Sequence, residues 1–121
     1  MSKKILVVDD EVDSRKMLKT YFEVHGFDVA EAEDGYEAVE KALEHKPDLV
    51  IMDMAMPLVD GVNSTRTMRL HDELSETPII ALTAFGSFYK PRAIAAGCNA
   101  VVAKPVDFER LRPVIAKHLE H

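Results

Sequence analysis

The chain has 121 residues, 47% hydrophobic and 30% charged, the length of one domain with enough apolar side chains for its own core. This composition excludes a disordered, collagen-like or membrane-spanning chain. With 21 acidic against 15 basic residues the formal charge is -6, which opposes attraction to nucleic-acid backbones and anionic lipid and argues against direct binding to either.

The start, Met1-Ser2-Lys3-Lys4, leads into only four apolar residues before Asp9, too few for a signal peptide or anchor. Short apolar runs then recur at Lys4 to Val8, Asp28 to Ala32, Asp48 to Met52, Pro78 to Leu82 and Asn99 to Ala103. Each has the length of a buried strand, and the second, with Val29 and two alanines, reads as the least buried edge. After the first strand, Met17, Leu18, Tyr21 and Phe22 share a face at helical spacing, with Asp13 or Ser14 as N-cap and Gly26 as stop signal. Ala38, Val39, Ala42 and Leu43 repeat the spacing before Pro47.

The third helix is expected from about Val62 to Leu74. Asn63-Ser64-Thr65-Arg66-Thr67 supplies poor helix formers and almost no apolar face, so weak packing is expected there. In the fourth, Gly86 and Pro91 restrict the helical part to Pro91–Ala96 after a long loop. The fifth starts near Asp107 and carries Leu111, Val114, Ile115 and His118, with Pro113 expected to bend it. The remaining three residues, Leu119-Glu120-His121, read as the remnant of an expression tag, leaving residues 1–118 as one domain.

Five strand-helix units without hairpin signals give an α/β fold: three layers, a doubly wound parallel sheet between helices. In such a sheet the C-terminal strand ends share one edge, where ligands bind. Asp9 and Asp10 follow the first strand, Asp53 the third, Thr83 the fourth and Lys104 the fifth. Two carboxylates about 5 Å apart repel by roughly 3 kcal/mol at an effective dielectric of about 20. An oxygen-only cluster with no cysteine or paired histidine suits a hard divalent ion, Mg²⁺ above all, and Lys104 neutralises part of the remaining charge. The set looks built to receive a phosphoryl group. Taken singly, Asp10, Thr83 and Lys104 read equally well as helix caps or loop residues. Asp53, between Leu49-Val50-Ile51-Met52 and Met54-Ala55-Met56-Pro57, is costly unless paired or functional.

The run Val7-Val8-Asp9-Asp10-Glu11, then Asp53-Met54-Ala55-Met56-Pro57-Leu58-Val59-Asp60-Gly61, then Ala81-Leu82-Thr83-Ala84, then Lys104-Pro105 resembles the receiver domain of two-component response regulators. The resemblance covers the whole chain. It implies a flavodoxin-like sheet of order 2-1-3-4-5, an order for which a receiver is already a standard example. It further implies that Asp53 is the phosphoacceptor, a carboxylate nucleophile supplied by a sensor histidine kinase or a histidine phosphotransfer protein. Asp10, Asp53 and the carbonyl of Ala55 would bind Mg²⁺, Asp9 would do so through water, and Thr83 and Lys104 would contact phosphoryl oxygens. Met56-Pro57 and Asp60-Gly61 would shape the loop after the acceptor. The output would be a changed binding surface for a downstream protein or effector domain, in the cytoplasm, in keeping with the single Cys98. Whether the chain acts alone or was cut from a larger regulator stays open.

One departure stands out. Receivers usually carry Tyr or Phe three residues before the lysine, an aromatic that turns inward as the threonine moves, and here that residue is Val101. Phe85, Phe88 and Tyr89 crowd the loop after Thr83; they are expected to cover the sheet edge, the other reading being a loop that orders on phosphorylation. A haloacid-dehalogenase-type phosphatase would need a second aspartate where Ala55 stands. A flavodoxin's phosphate would be repelled by Asp9-Asp10-Glu11-Val12-Asp13. The remaining alternative is an interaction module that keeps the receiver shape without the usual switch.

Overall fold

The computed structural model describes residues 2–119. Its elements run β1 (Lys4–Val8), α1 (Val12–Val24), β2 (Asp28–Ala32), α2 (Gly35–His45), β3 (Leu49–Asp53), α3 (Gly61–Arg69), a 3-10 turn (Asp72–Leu74), β4 (Ile79–Thr83), α4 (Gly86–Ala96), β5 (Ala100–Ala103) and α5 (Phe108–Leu119). The strands are all parallel and ordered β2-β1-β3-β4-β5, as expected from the sequence. Leu119 closes α5 and packs on the core, while Glu120 and His121 lie outside the described residues.

Alternation along the strands sorts the core into two layers. Leu6, Val8, Val50, Met52, Ile79 and Ala81 face α2, α3 and α4. Ile5, Val7, Leu49, Ile51, Ile80 and Leu82 face α1 and α5 through Leu18, Phe22, Leu111 and Ile115. Because both faces are covered, β1, β3 and β4 are buried almost end to end, each large apolar side chain contributing roughly 1.5–3 kcal/mol. β2 is an edge with one buried residue, Ala32.

Four local expectations are corrected. Neither Asp13 nor Ser14 caps α1; the N-cap position is Glu11, without a side-chain cap, and the Ser14 hydroxyl donates instead to Asp9. Met17 is exposed, and the inward stripe of α1 is Arg15, Leu18 and Phe22. α4 begins at Gly86, not Pro91; the proline sits inside the helix at an exposed position, and the preceding loop is short. An exposed proline there forfeits one backbone hydrogen bond and one turn of ideal geometry, a cost the packing of Ala93 and Ala96 offsets.

The fourth correction concerns α3, which ends at Arg69 and is tightly packed. Its polar residues are small because the neighbours are close: the Ser64 hydroxyl donates to the Gly35 carbonyl at the start of α2, and a Cβ on Gly35 would lie 2.4 Å from the Val59 carbonyl oxygen. Thr65 donates to the Gly61 carbonyl at 2.8 Å. Polar groups thus line the interface, each with a partner, where an apolar face was sought. Arg69 clasps the far end, with five hydrogen bonds to the Gly97, Leu74 and Thr77 carbonyls and to Asn99 Oδ1.

Candidate functional site

The strand order reverses between β1 and β3, so the loops after them diverge and leave a crevice at their C-terminal ends. Asp9 and Asp10 directly follow β1, and Asp53 is the last residue of β3. Each of the three offers a carboxylate oxygen within 4.8 Å of the others'. Asp9 and Asp53 are buried and Asp10 is exposed. Lys104, one residue past β5, reaches across two strands to place Nζ 3.1 Å from Asp53 Oδ2 and 3.6 Å from Asp9 Oδ2. Thr83, the last residue of β4, is buried beside them, and its backbone carbonyl accepts the Lys104 N–H at 2.9 Å.

Asp9 is held on every side. Its Oδ1 accepts the Glu11 N–H at 2.9 Å, its Oδ2 accepts the Ser14 hydroxyl at 2.6 Å, and its backbone carbonyl accepts Arg15 Nη1 at 2.8 Å. Arg15 is fixed in turn by Glu31 at 3.2 Å. The sequence offers Ser14 only as a helix cap and gives Arg15 no role. The available signal was the spacing: Arg15 lies on the same stripe as Leu18 and Phe22, and an arginine on an inward stripe needs a partner.

Asp53 Oδ1 accepts the Ala55 N–H at 3.2 Å, while Oδ2 faces Lys104. The loop is closed behind it by the Gly61 N–H donating to the Met54 carbonyl at 2.9 Å. A Cβ at Gly61 would lie 2.5 Å from the Asp53 carbonyl oxygen, so only glycine lets the loop return this close. Asp60 caps α3 by accepting the Asn63 N–H at 2.9 Å. Burial pushes the Asp53 carboxyl above the ordinary carboxylate range, against the opposing pull of the Lys104 ammonium. Burial by itself would lower Lys104, but the charges of Asp53 and Asp9 together outweigh it and hold the ammonium above its usual value.

One half-buried lysine against three carboxylates leaves the crevice short of positive charge, and its ligands are all oxygens. That donor set fits a hard divalent cation. The structure brings the carboxylates of Asp9, Asp10 and Asp53 together with Lys104 Nζ, while Ala55 and Thr83 adjoin them through backbone hydrogen bonds, the Ala55 N–H to Asp53 Oδ1 and the Lys104 N–H to the Thr83 carbonyl. The aromatics expected to cover the sheet edge do not all do so. Phe85 and Phe88 are 61% and 50% exposed, and Tyr89 alone of the three packs against the core, as Val101 does.

Residues 5–116 match the response regulator receiver domain family. The chain belongs to that family. Relatives agree along nearly its full length. The polar-differentiation response regulator DivK of Brucella anthropi is 33% identical over 120 residues, covering 98% of each chain. The Vibrio cholerae chemotaxis protein CheY4 superposes with a TM-score of 0.93 at 31% identity, over 98% of this receiver and all of that chain. The receiver domain of the sensor histidine kinase PA1611 from Pseudomonas aeruginosa PAO1 superposes with a TM-score of 0.93 at 28% identity over the whole of both chains; that structure has a magnesium ion coordinated in its active site cleft. This receiver is a two-component signalling module and not an enzyme in the ordinary sense, and no helix among its described residues is long and apolar enough to cross a membrane.

Proposed function

We propose that Asp53 of this receiver takes a phosphoryl group from the phosphohistidine of a sensor histidine kinase or a histidine phosphotransfer protein, and passes the signal on as a change of binding surface. The observation that carries the reading is the Asp53 carboxylate itself: buried, with one oxygen held by the Ala55 N–H and Lys104 Nζ 3.1 Å from the other.

In the transfer, an Asp53 carboxylate oxygen forms a bond to phosphorus as the P–N bond to the donor imidazole breaks, the nitrogen keeping the electron pair. Lys104 pairs with one oxygen of the group in flight and the Thr83 hydroxyl donates to another, so charge is offset where it develops. Asp10, Asp53 and the Ala55 carbonyl would hold Mg²⁺, with Asp9 acting through water; when bound, the ion supplies the positive charge that lets two anions meet. Ser14 and Arg15 keep Asp9 fixed throughout. Hydrolysis of the acyl phosphate returns the site to its starting state, so phosphorylation and its reversal both run on these side chains. The unit that does this is the single domain whose last helix closes at Leu119, acting in the cytoplasm where histidine kinases present their phosphohistidine.

Incubation with acetyl phosphate and Mg²⁺, followed by mass spectrometry, is expected to add one phosphoryl group that is labile to acid and to hydroxylamine. Equal labelling of Asp53→Asn would overturn the assignment. The non-switching interaction module is not favoured, because such a module has no need of a lysine held between two buried carboxylates.

A further inference from the structure

We propose that Ser14 is a positioning residue of this receiver: by satisfying Asp9 it keeps the Lys104 ammonium on Asp53, where the phosphoryl group arrives. The proposal rests on the phosphoacceptor reading and deepens it. One ammonium faces two buried carboxylates, with Lys104 Nζ 3.1 Å from Asp53 Oδ2 and 3.6 Å from Asp9 Oδ2. The Asp9 side chain is wholly buried, so a charge there is costly unless its oxygens find donors close by. The Ser14 hydroxyl is such a donor. It gives its proton to Asp9 Oδ2 at 2.6 Å, the same oxygen that Lys104 faces. A hydroxyl that close to a carboxylate makes a bond of the strong, charge-assisted kind.

Of the two partners, the lysine is the one free to move. Asp9 Oδ1 accepts the Glu11 N–H at 2.9 Å, the Asp9 N–H donates to the Ala32 carbonyl at 3.1 Å, and the Asp9 carbonyl accepts Arg15 Nη1 at 2.8 Å, with Arg15 held in turn by Glu31. Asp9 is thereby pinned to α1 and to the edge strand β2. Lys104 Nζ is a point charge at the end of a flexible four-carbon stem, and its backbone is fixed a strand away on the Thr83 carbonyl. Without the Ser14 hydroxyl, the ammonium is the one donor left to Asp9 Oδ2 among the described residues. Nζ then has only about half an ångström to travel to complete that hydrogen bond.

The helix itself does not account for the serine. Ser14 lies in the first turn of α1 behind an N-cap position at Glu11, and its hydroxyl is turned back to the strand end instead of capping the turn. Alanine would serve the helix better. For the transfer, the consequence is alignment. A lysine drawn over to Asp9 stands back from the Asp53 oxygens and from the group arriving there, so its positive charge is misplaced at the moment negative charge develops. Ser14 touches neither the acceptor nor the phosphoryl group and acts through Asp9 and Lys104.

The test is NMR on the whole chelator-treated chain, reading the scalar couplings that pass through hydrogen bonds from Lys104 ¹⁵Nζ to the ¹³Cγ of Asp53 and of Asp9, in the wild type, Ser14→Thr, Ser14→Val and Ser14→Ala. In the wild type and Ser14→Thr the coupling to Asp53 should be the larger. In Ser14→Val, which has the shape of the threonine variant without its hydroxyl, and in Ser14→Ala, the coupling to Asp9 should be the larger. Labelling of Asp53 by acetyl phosphate with Mg²⁺ should slow by roughly five- to thirtyfold in those two variants, close to the rate equivalent of one hydrogen bond to a charged group. The conservative Ser14→Thr should restore it. Couplings or labelling rates that stay at wild-type values in Ser14→Val and Ser14→Ala, or a Ser14→Thr that behaves as Ser14→Val does, would overturn the positioning role and leave the acceptor in place. A wild type that gains no phosphoryl group at Asp53 would sink the acceptor reading, and this one with it. The two hydroxyl-free variants differ in bulk, so one still gives the answer if the other does not fold.

Discussion

Asp53 is where the chain accepts a folding cost for chemistry. Burial raises its carboxyl above the ordinary range, so the folded state favours the protonated form and the ionised form weighs against folding. The sign of the effect follows: as pH rises through the folded-state value the carboxylate's burden appears, and as pH falls below it the burden is lifted. In chelator-treated protein, Asp53→Asn should therefore raise the thermal midpoint at pH 7, and that gain should shrink to nothing in acid; a midpoint lowered at pH 7 would contradict the assignment. The crowding of Asp9, Asp10 and Asp53 within 4.8 Å carries a second expectation. A cation that binds only the folded crevice stabilises it by mass action, about 2.7 kcal/mol at a hundredfold excess over the dissociation constant. Melting curves with and without saturating Mg²⁺ should show that rise, and Asp10→Asn, which removes the exposed carboxylate, should reduce it.

Among the elements, α3 and α4 departed furthest from what their residues suggested. Propensity arguments count what a residue does in isolation, and both helices are set by their neighbours. Ser64 and Thr65 were read as a poor apolar face because the closeness of α2, which requires Gly35 and a small hydroxyl opposite it, is invisible one residue at a time. Pro91 was read as a boundary because a proline clashes with the preceding turn, yet Ala93, Ala96 and Tyr89 hold the helix together around it. Arg69 joins these elements at the end of the sheet away from the crevice, with no carboxylate partner among the described residues and five hydrogen bonds to oxygens of the α3–β4 and α4–β5 connections. Arg69→Ala would leave several of those carbonyls without a donor and should cost about 2–4 kcal/mol in denaturant unfolding. Arg69→Lys should recover less than half, since an ammonium cannot reproduce the planar fork.

At the level of the whole molecule, the sheet divides labour between its two edges: the N-terminal edge is stitched by Arg69 and Asn99, and the C-terminal edge is left polar and open at the β1–β3 switch point. Val101 belongs to neither. It packs on the cluster beneath α4. Val101→Tyr is consequently expected to leave the rate of acetyl phosphate labelling within about twofold of wild type. A large fall in labelling would show that residue 101 helps build the pocket.

The alternation of five apolar runs with helical patterns was enough to determine a doubly wound parallel sheet, because a strand buried on both faces has to be apolar throughout and a parallel connection has to carry a helix. The polar residues that end those runs, Asp9, Asp10, Asp53, Thr83 and Lys104, were legible for the same reason: parallel strands bring their C-terminal ends to one edge whatever their separation in the chain. Tertiary structure alone decided which groups orient them. Ser14 and Arg15 on Asp9, the Ala55 amide on Asp53 and the Phe85 amide on Thr83 depend on distances of about 3 Å between atoms, and a linear pattern carries direction and period but not distance.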